Sequence, residues 1–149
     1  MKISSPAFVT NGNIPAKYTC DGQNINPPLV FEEIPANAKS LALIVDDPDS
    51  PSGTWTHWVL WNINPSVTGI QENSVPQGAL EGVTGFKRSG WGGPCPGSGT
   101  HRYFFKLYAL DEELTGLTPQ SSVEEVLAAI NGHVVATAEL VGLYRRNRL

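Results

Sequence analysis

Apolar residues occur in short runs along this chain, and clusters of turn-forming residues separate the runs. Residues 39–45 form one such run, which stops at the Asp-Asp-Pro-Asp sequence of residues 46–49. Residues 54–63 are rich in Trp, Thr and Val, and residues 102–110 combine aromatic with aliphatic side chains. Apolar runs of this length, bounded by Pro, Gly and Asp, are typical of buried β-strands. We therefore predict a strand in each run.

One later segment has the spacing of a helix. Its apolar residues recur at i, i+3, i+4 and i+7, so they share one helical face. They are Val123, Val126, Leu127 and Ile130. Ser121 and Ser122 each precede a Glu by three residues, which is a capping-box pattern, and Asn131-Gly132 is a typical helix stop. Residues 134–140 then return as a strand.

The order of these elements predicts the fold class. Several strands with one late helix are typical of a mainly β, antiparallel sandwich with one or two peripheral helices. The alternation of strands and helices that builds a parallel sheet is missing. The chain has 15 glycines and 12 prolines, and they interrupt residues 1–40 and 64–100 so often that only short extended pieces fit there. We expect residues 1–149 to form a single domain.

Charge and hydropathy argue against two classes of protein. The formal net charge is −4, and no run of Lys or Arg lies among aromatic residues, so nothing indicates a nucleic-acid partner. We interpret the one basic cluster, Arg145, Arg146 and Arg148, as a solvated tail. No segment approaches the ~20 apolar residues of a transmembrane helix, and no apolar leader follows Met1. We therefore expect a cytoplasmic protein with no transmembrane segment.

The two cysteines, Cys20 and Cys95, leave two redox states open. They are too few for a zinc site of their own. Reduced thiols are the usual state in the cytosol. A disulfide forms instead if the fold brings the two Cα atoms within ~7 Å of each other.

Polar residues that a plain sandwich does not need are concentrated in two segments. The first is 46–51, Asp-Asp-Pro-Asp-Ser-Pro, which His57 follows; the second is the glycine-rich segment 92–100, which His101 follows. Each is a loop leading into an apolar strand, so neighbouring strands would place both histidines at one rim. Imidazole titrates near ~6.5 and can carry a proton when an anion arrives. Glycine lets backbone N–H groups approach an anion, and we expect such a surface in 92–100.

Asp47 and Asp49 have two interpretations. In an Asp-Pro-Asp turn, a carboxylate often caps backbone N–H groups. Alternatively, Asp47 orients His57 and favours its charged form, while a spare carboxylate meets an amine on the ligand. The residues thus predict a pocket of mixed charge.

Four motifs resemble those of the phosphatidylethanolamine-binding protein family, more specifically its bacterial and archaeal Raf-kinase-inhibitor-like branch. They are Tyr18-Thr19-Cys20-Asp21-Gly22 with Pro27-Pro28-Leu29, Asp47-Pro48-Asp49-Ser50-Pro51, Thr56-His57-Trp58, and Gly93-Pro94-Cys95-Pro96 with Gly99-Thr100-His101-Arg102-Tyr103. The likeness extends from about Phe8 to Tyr144. It implies antiparallel sheets with Greek-key connections and a pocket for phosphate-like anions and phosphoryl head groups.

The resemblance also implies which residues form the pocket. Carried over position by position, the ligand-binding residues are Asp47, Asp49, Trp55, His57, Gly93, Pro94, His101 and Tyr103. The bacterial branch has cysteines at the positions of Cys20 and Cys95. This implies that the two cysteines lie close together, so a disulfide stays one of the two alternatives. Bacterial relatives often pair, so a homodimer is also an expectation from the resemblance.

These features leave three classes of function open. The leading hypothesis is a binding module, with no cofactor or metal, for a phosphorylated small molecule, a lipid head group or a phosphate-like anion, through which it modulates a kinase. The second is a serine protease inhibitor, whose exposed Pro-rich loops would enter a protease cleft. The third is a hydrolase that holds a metal with two His and two Asp. We do not expect an enzyme, because no Ser or Cys is clearly paired with a base.

Overall fold

The apolar runs of the sequence become the long strands of the structure. The computed structural model describes residues 1–146, in which the helix α1 covers Val123–Ile130 and a 3-10 turn covers Ala16–Tyr18. The strands are β1 (Lys2–Ser4), β2 (Gly12–Asn13), β3 (Leu29–Glu32), β4 (Ser40–Asp47), β5 (Trp55–Ile63), β6 (Gly69–Ile70), β7 (Leu80–Glu81), β8 (His101–Leu110) and β9 (Val134–Tyr144). The four predicted strands are confirmed as β4, β5, β8 and β9.

Two sheets pack face to face, as the sandwich prediction requires. The larger has the strand order β2-β9-β8-β4-β5-β7, and the smaller has the order β1-β3-β6. Strands β4, β5 and β7 are successive antiparallel neighbours in the larger sheet, and β8 returns to lie beside β4. This order is a Greek key, which confirms the connection that the resemblance implied.

One strand pair departs from the antiparallel prediction. The two-residue strand β2 runs parallel to β9 at the edge of the larger sheet. The backbone N–H of Asn11 donates to the carbonyl of Val141, and that of Ile14 to the carbonyl of Leu143, each at 2.7 Å. The reason is that the N-terminal segment leaves β1 in the small sheet and crosses the open edge of β9 in the direction in which β9 runs.

Strand β4 lies near the middle of the larger sheet, and all eight of its residues are buried. Leu43 and Val45 belong to the core between the two sheets, together with Phe31 of β3. Ile44 points the other way and packs with Val126 of α1. Successive side chains of a strand point to opposite faces, so a strand that is covered on both faces is apolar without alternation. This explains the unbroken apolar run in the sequence.

Helix α1 begins where the capping box predicted. The Oγ of Ser122 accepts a hydrogen bond from the N–H of Glu125 at 3.2 Å, and the Glu125 carboxylate accepts one from the N–H of Ser122 at 3.3 Å. Val126 and Ile130 are buried, whereas Leu127 is 43% exposed and lies at the margin of the apolar face. In the described part of the chain, no helix is long and apolar enough to cross a membrane.

The arginine cluster near the C-terminus is only partly a solvated tail. The Nη2 of Arg146 donates to Oδ1 of Asp21 at 2.9 Å, and the hydroxyl of Tyr144 donates to Oδ2 of Asp21 at 2.6 Å. The interpretation is therefore wrong for Arg146, because β9 ends beside the loop that carries Asp21. Arg145 is exposed, and Arg148 lies outside the described residues.

Candidate functional site

A pocket of about 230 Å³ opens at one end of the larger sheet. Because β4 is antiparallel to β5 and to β8, the end of β4 meets the starts of both neighbours at the same edge. The lining residues are Asp47, Ser50, Pro51, Trp55, His57, Phe86, Cys95, Pro96, Gly97, His101 and Tyr103. The structure thus brings together Asp47, Trp55, His57, His101 and Tyr103. The other predicted ligand-binding residues, Asp49, Gly93 and Pro94, are not part of the lining.

A β-bulge in β5 directs His57 into this pocket. Val45 of β4 is paired with Trp58 of β5. The next pair is Asp46 with Thr56, so the register skips His57. Such a bulge interrupts the alternation of side chains along a strand. Without it, His57 would share the face of β5 that packs against the helix; with it, His57 lines the pocket.

His57 is 3% exposed, and the backbone fixes its tautomer. Its Nδ1 lies 2.6 Å from the carbonyl oxygen of Gly92, and since a carbonyl can only accept, Nδ1 carries the proton. Burial lowers the pKa of His57, and the Gly92 carbonyl and the charge of Asp47 oppose this in part. The neutral ring therefore predominates at neutral pH. Among residues 1–146, its Nε2 atom has no hydrogen-bond partner.

His101, on the other side, is paired with Asp47. The Nδ1 of His101 lies 2.6 Å from Oδ2 of Asp47, and Oδ1 of Asp47 accepts the N–H of Asp49 at 2.7 Å. The turn-capping interpretation thus applies to Asp47. The expectation that Asp47 orients His57 is wrong, because the Gly92 carbonyl already holds Nδ1 of that ring and Asp47 orients His101 instead.

The ring of Tyr103 contacts both imidazoles. The ring centroids of His57 and Tyr103 are 5.2 Å apart in an edge contact, and those of His101 and Tyr103 are 6.4 Å apart in a stacked contact. The Tyr103 hydroxyl is buried and makes no hydrogen bond of good geometry within the described residues, although the Asp47 carboxylate is close enough to interact with it. Burial, and next to it the charge of Asp47, raises the pKa of Tyr103, so the hydroxyl keeps its proton. A donor buried without an acceptor is rare and costly, and this one belongs to a residue that lines the pocket.

Asp49 pairs with Arg102 at the rim. Its Oδ2 accepts from Nε of Arg102 at 2.9 Å and from the backbone N–H of Arg102 at 2.9 Å, while Oδ1 accepts from Nη2 at 2.8 Å. The guanidinium holds the pKa of Asp49 down at about 2. This pairing fixes the turn after β4 to the start of β8, so Asp49 supports the rim from outside the lining.

The first two N–H groups of the glycine-rich segment form hydrogen bonds within the protein. The N–H of Gly92 donates to the carbonyl of His57 at 3.0 Å. The N–H of Gly93 donates to Oδ1 of Asn24 at 2.8 Å. A Cβ on Gly93 would lie 2.3 Å from the carbonyl oxygen of Tyr18, so the glycine is required for this close packing. Pro94 has no N–H to offer. The wall of the pocket is built by residues 95–97 instead.

Cys20 and Cys95 are joined by a disulfide, which is one of the two states that the sequence left open. Their Cα atoms are 5.5 Å apart, and the N–H of Cys20 also donates to the carbonyl of Pro94 at 3.1 Å. The linked residues are separated by 75 positions in the sequence. The bond therefore ties one wall of the pocket to the N-terminal part of the chain.

Phe86 provides an aromatic wall of the pocket that was not predicted from the sequence. Phe86 makes edge contacts with Trp55 and His57, with ring centroids 5.6 and 5.4 Å apart. A Cβ on Gly92 would lie 2.3 Å from the Phe86 ring, so that glycine makes room for it. The available signal was an isolated aromatic residue inside a glycine-rich loop. Ser50, Pro51, Cys95 and Pro96 belong to the motifs and Gly97 to the glycine-rich segment, but none of them was predicted to line the pocket.

A second group of metal-binding residue types lies at the other end of β8. One ligand atom from each of Asp111, Glu112 and His133 lies within 4.8 Å of the others. Both ring nitrogens of His133 are already paired, Nδ1 with Asp111 at 2.9 Å and Nε2 with Glu112 at 3.2 Å. The two carboxylates are exposed, and exposed acidic groups are common without a metal. We assign no metal site to this group.

The sequence of this chain, whose larger sheet ends in a pocket lined by two histidines, matches a known protein family. Residues 4–145 match the family model described as phosphatidylethanolamine-binding protein. A UPF0098 protein from Methanothermobacter thermautotrophicus is 53% identical over 151 residues, which cover 98% of this chain and 99% of the relative. The chain therefore belongs to the phosphatidylethanolamine-binding protein family, as its motifs indicated.

Two solved structures are similar to this one over nearly their whole length. A phosphatidylethanolamine-binding protein homolog from Chlamydia trachomatis is 40% identical with a TM-score of 0.94, and the match covers 98% of this chain and 97% of that one. YbcL from Escherichia coli, described as a new member of the mammalian family, is 31% identical with a TM-score of 0.91, covering 98% of each chain. The predicted fold class is thereby confirmed.

Proposed function

We propose that this protein binds a small phosphoryl-containing anion in the pocket, either a free phosphorylated molecule or a head group. The observation that carries the proposal is Tyr103, whose ring contacts two histidines and whose buried hydroxyl has no acceptor in hydrogen-bonding geometry within the described residues. Leaving such a donor unpaired costs about 1–3 kcal/mol, and an anion oxygen that accepted its proton would remove that cost.

The charges around the pocket support an anion as the guest. His101 uses Nδ1 toward Asp47, which leaves Nε2 for a ligand. When His101 is protonated, Nε2–H becomes a charged donor, and hydrogen bonds of charged donors to anions are the strong ones. The Asp47 carboxylate, 2.6 Å from Nδ1, would compensate that charge. Asp49 contributes little repulsion, because Arg102 neutralises it at the rim.

The size of the pocket limits what it can hold. About 230 Å³ is below the ~300–1,000 Å³ of sites for drug-sized ligands. A phosphate with a short organic substituent fits this volume, whereas lipid acyl chains do not. Trp55 and Phe86 supply apolar surface for the substituent.

Histidine NMR gives the direct test. Titration with millimolar inorganic phosphate at about pH 6 is expected to shift the ring resonances of His57 and His101 and to leave those of His133 unchanged. His133 is a built-in control, because it lies at the far end of β8, next to Asp111. Affinity is expected to rise as the pH falls through the histidine range. If the His57 and His101 resonances do not move, the proposal is wrong.

We also propose that the protein modulates a kinase by binding a phosphorylated side chain in the same pocket. A phosphorylated side chain presents the same group as a small phosphate ester. A pull-down with phosphorylated and unphosphorylated peptides tests this proposal.

Serine protease inhibition is the alternative function. If the protein at micromolar concentration inhibits none of a panel of serine proteases, this alternative is wrong. A hydrolase has less support, because the oxygens of both Asp47 and Asp49 already accept hydrogen bonds.

Location and assembly are also part of the proposal. We propose that the protein is cytoplasmic and forms homodimers. Light scattering on the purified chain measures the assembly state, and cell fractionation measures the location. Thiol labelling of fresh lysate then reports whether Cys20 and Cys95 stay paired there, where thiols are ordinarily kept reduced.

A further inference from the structure

The pocket presents an acceptor as well as donors. The His57 ring cannot exchange its tautomer freely, because Nδ1–H is committed to the Gly92 carbonyl at 2.6 Å. Its edge contacts with Phe86 and Tyr103 hold the ring in place. In the neutral ring, Nε2 therefore carries a lone pair and can only accept a hydrogen bond, so its partner must be a donor.

The groups around His57 do not supply that proton. The titratable side chains that face it are Asp47 from β4 and His101 and Tyr103 from β8. Asp47 is an acceptor, and both of its oxygens are already bonded. Within residues 1–146, neither the Tyr103 hydroxyl nor any other group donates to Nε2 of His57.

We propose that the pocket selects a phosphoryl group that still carries a proton, and that this P–OH donates to Nε2 of His57 while another phosphoryl oxygen accepts from Tyr103. The ligand class is then the phosphomonoesters and inorganic phosphate, and His57 is the residue that determines specificity. This inference rests on the proposed function and narrows it.

Ligand chemistry makes this selection possible. The second pKa of a phosphomonoester is about 6, so the singly protonated form is abundant near neutral pH. A phosphodiester has no such proton, and sulfate is fully ionised in this range. Either would leave Nε2 facing a ligand oxygen with no hydrogen between them. A site built around one hydrogen bond rejects an analogue that lacks the proton, and we expect a factor of about tenfold or more.

Methyl phosphate and dimethyl phosphate are a matched pair of probes. At about pH 6 roughly half of the first, and all of the second, is a monoanion, and the two monoanions differ by one methyl group in place of the acidic proton. We expect methyl phosphate to bind at least about tenfold more tightly than dimethyl phosphate or sulfate by isothermal titration. The ¹⁵N shifts of His57 in the methyl phosphate complex should remain those of a neutral ring with its proton on Nδ1.

Two variants separate specificity from folding. His57→Asn keeps an N–H for the Gly92 carbonyl and, because the shorter side chain ends before the Nε2 position, removes the acceptor there, so the preference for methyl phosphate should fall to about twofold or less. His133→Asn, at the far end of β8, should leave the preference unchanged. Equal binding of the two esters by the unmodified protein, or an imidazolium at His57 in the complex, would overturn this inference and leave the proposed function standing. Binding of none of the three probes would overturn both.

Discussion

The disulfide between Cys20 and Cys95 provides the sharpest prediction about stability. A cross-link stabilises a fold chiefly by restricting the unfolded chain, and the effect grows with the length of the closed loop. For the separation of 75 residues, the loop-closure entropy corresponds to about 4.5 kcal/mol at room temperature. We expect the double variant Cys20→Ser/Cys95→Ser to lose most of this free energy of unfolding. The backbone hydrogen bond from Cys20 to Pro94 keeps the native loop geometry in place.

Urea denaturation followed by tryptophan fluorescence measures this loss. The variant should show a lower midpoint and a steeper m-value, because its unfolded chain exposes more surface. The unmodified protein in excess dithiothreitol should behave like the double variant, and each single variant should lose as much as the double. A loss below about 1 kcal/mol in the double variant would refute the reasoning that the bond acts through the unfolded chain.

Three further predictions concern the core, the rim and the pH dependence. Leu43→Ala removes a fully buried side chain and should cost about 2–5 kcal/mol in urea denaturation, whereas the exposed Leu127→Ala should cost less than about 1 kcal/mol. Asp49→Asn should cost at most about 1 kcal/mol at neutral pH, because its pair with Arg102 is partly exposed. Its contribution is present above the ordinary carboxyl pKa and is lost as the pH falls toward about 2. Because the pKa of His57 is lowered in the folded protein, the unfolded chain binds a proton at this histidine at a higher pH than the folded chain does. The free energy of unfolding should therefore decrease as the pH falls below about 6.5. His57→Asn should make the free energy of unfolding less dependent on pH in this range.

The long elements were predictable because their signals are local. Strand β4 is covered on both faces and is therefore an unbroken apolar run, and Ser122 with Glu125 encodes the start of α1 within four residues. The two-residue strands β2, β6 and β7 were not predictable as strands. Their positions follow from which part of the chain lies beside them, and a pair of residues such as Gly69–Ile70 has no periodicity.

The site shows the same division between local and non-local information. Both histidines could be found from the loops that precede them. The pairing of Asp47 with His101 could not be predicted from the sequence. It depends on the bulge that turns His57 into the pocket and on the Gly92 carbonyl that binds the Nδ1 atom of His57. Phe86 has no motif of its own, and its role appears only once its loop folds over Trp55.

The pairing of β4 also has a consequence for how the chain folds. Its partner on one side, β5, follows within a few residues, but its partner on the other side is β8, where Asp46 lies opposite Phe104. Contacts between positions so far apart form slowly, and β-sandwiches dominated by them fold in milliseconds to seconds. Tyr103 and His101 lie on β8, so the pocket cannot form before β8 has paired with β4. A nascent chain that still lacks β8 has the loop of Asp47 and the ring of His57, but it has no site.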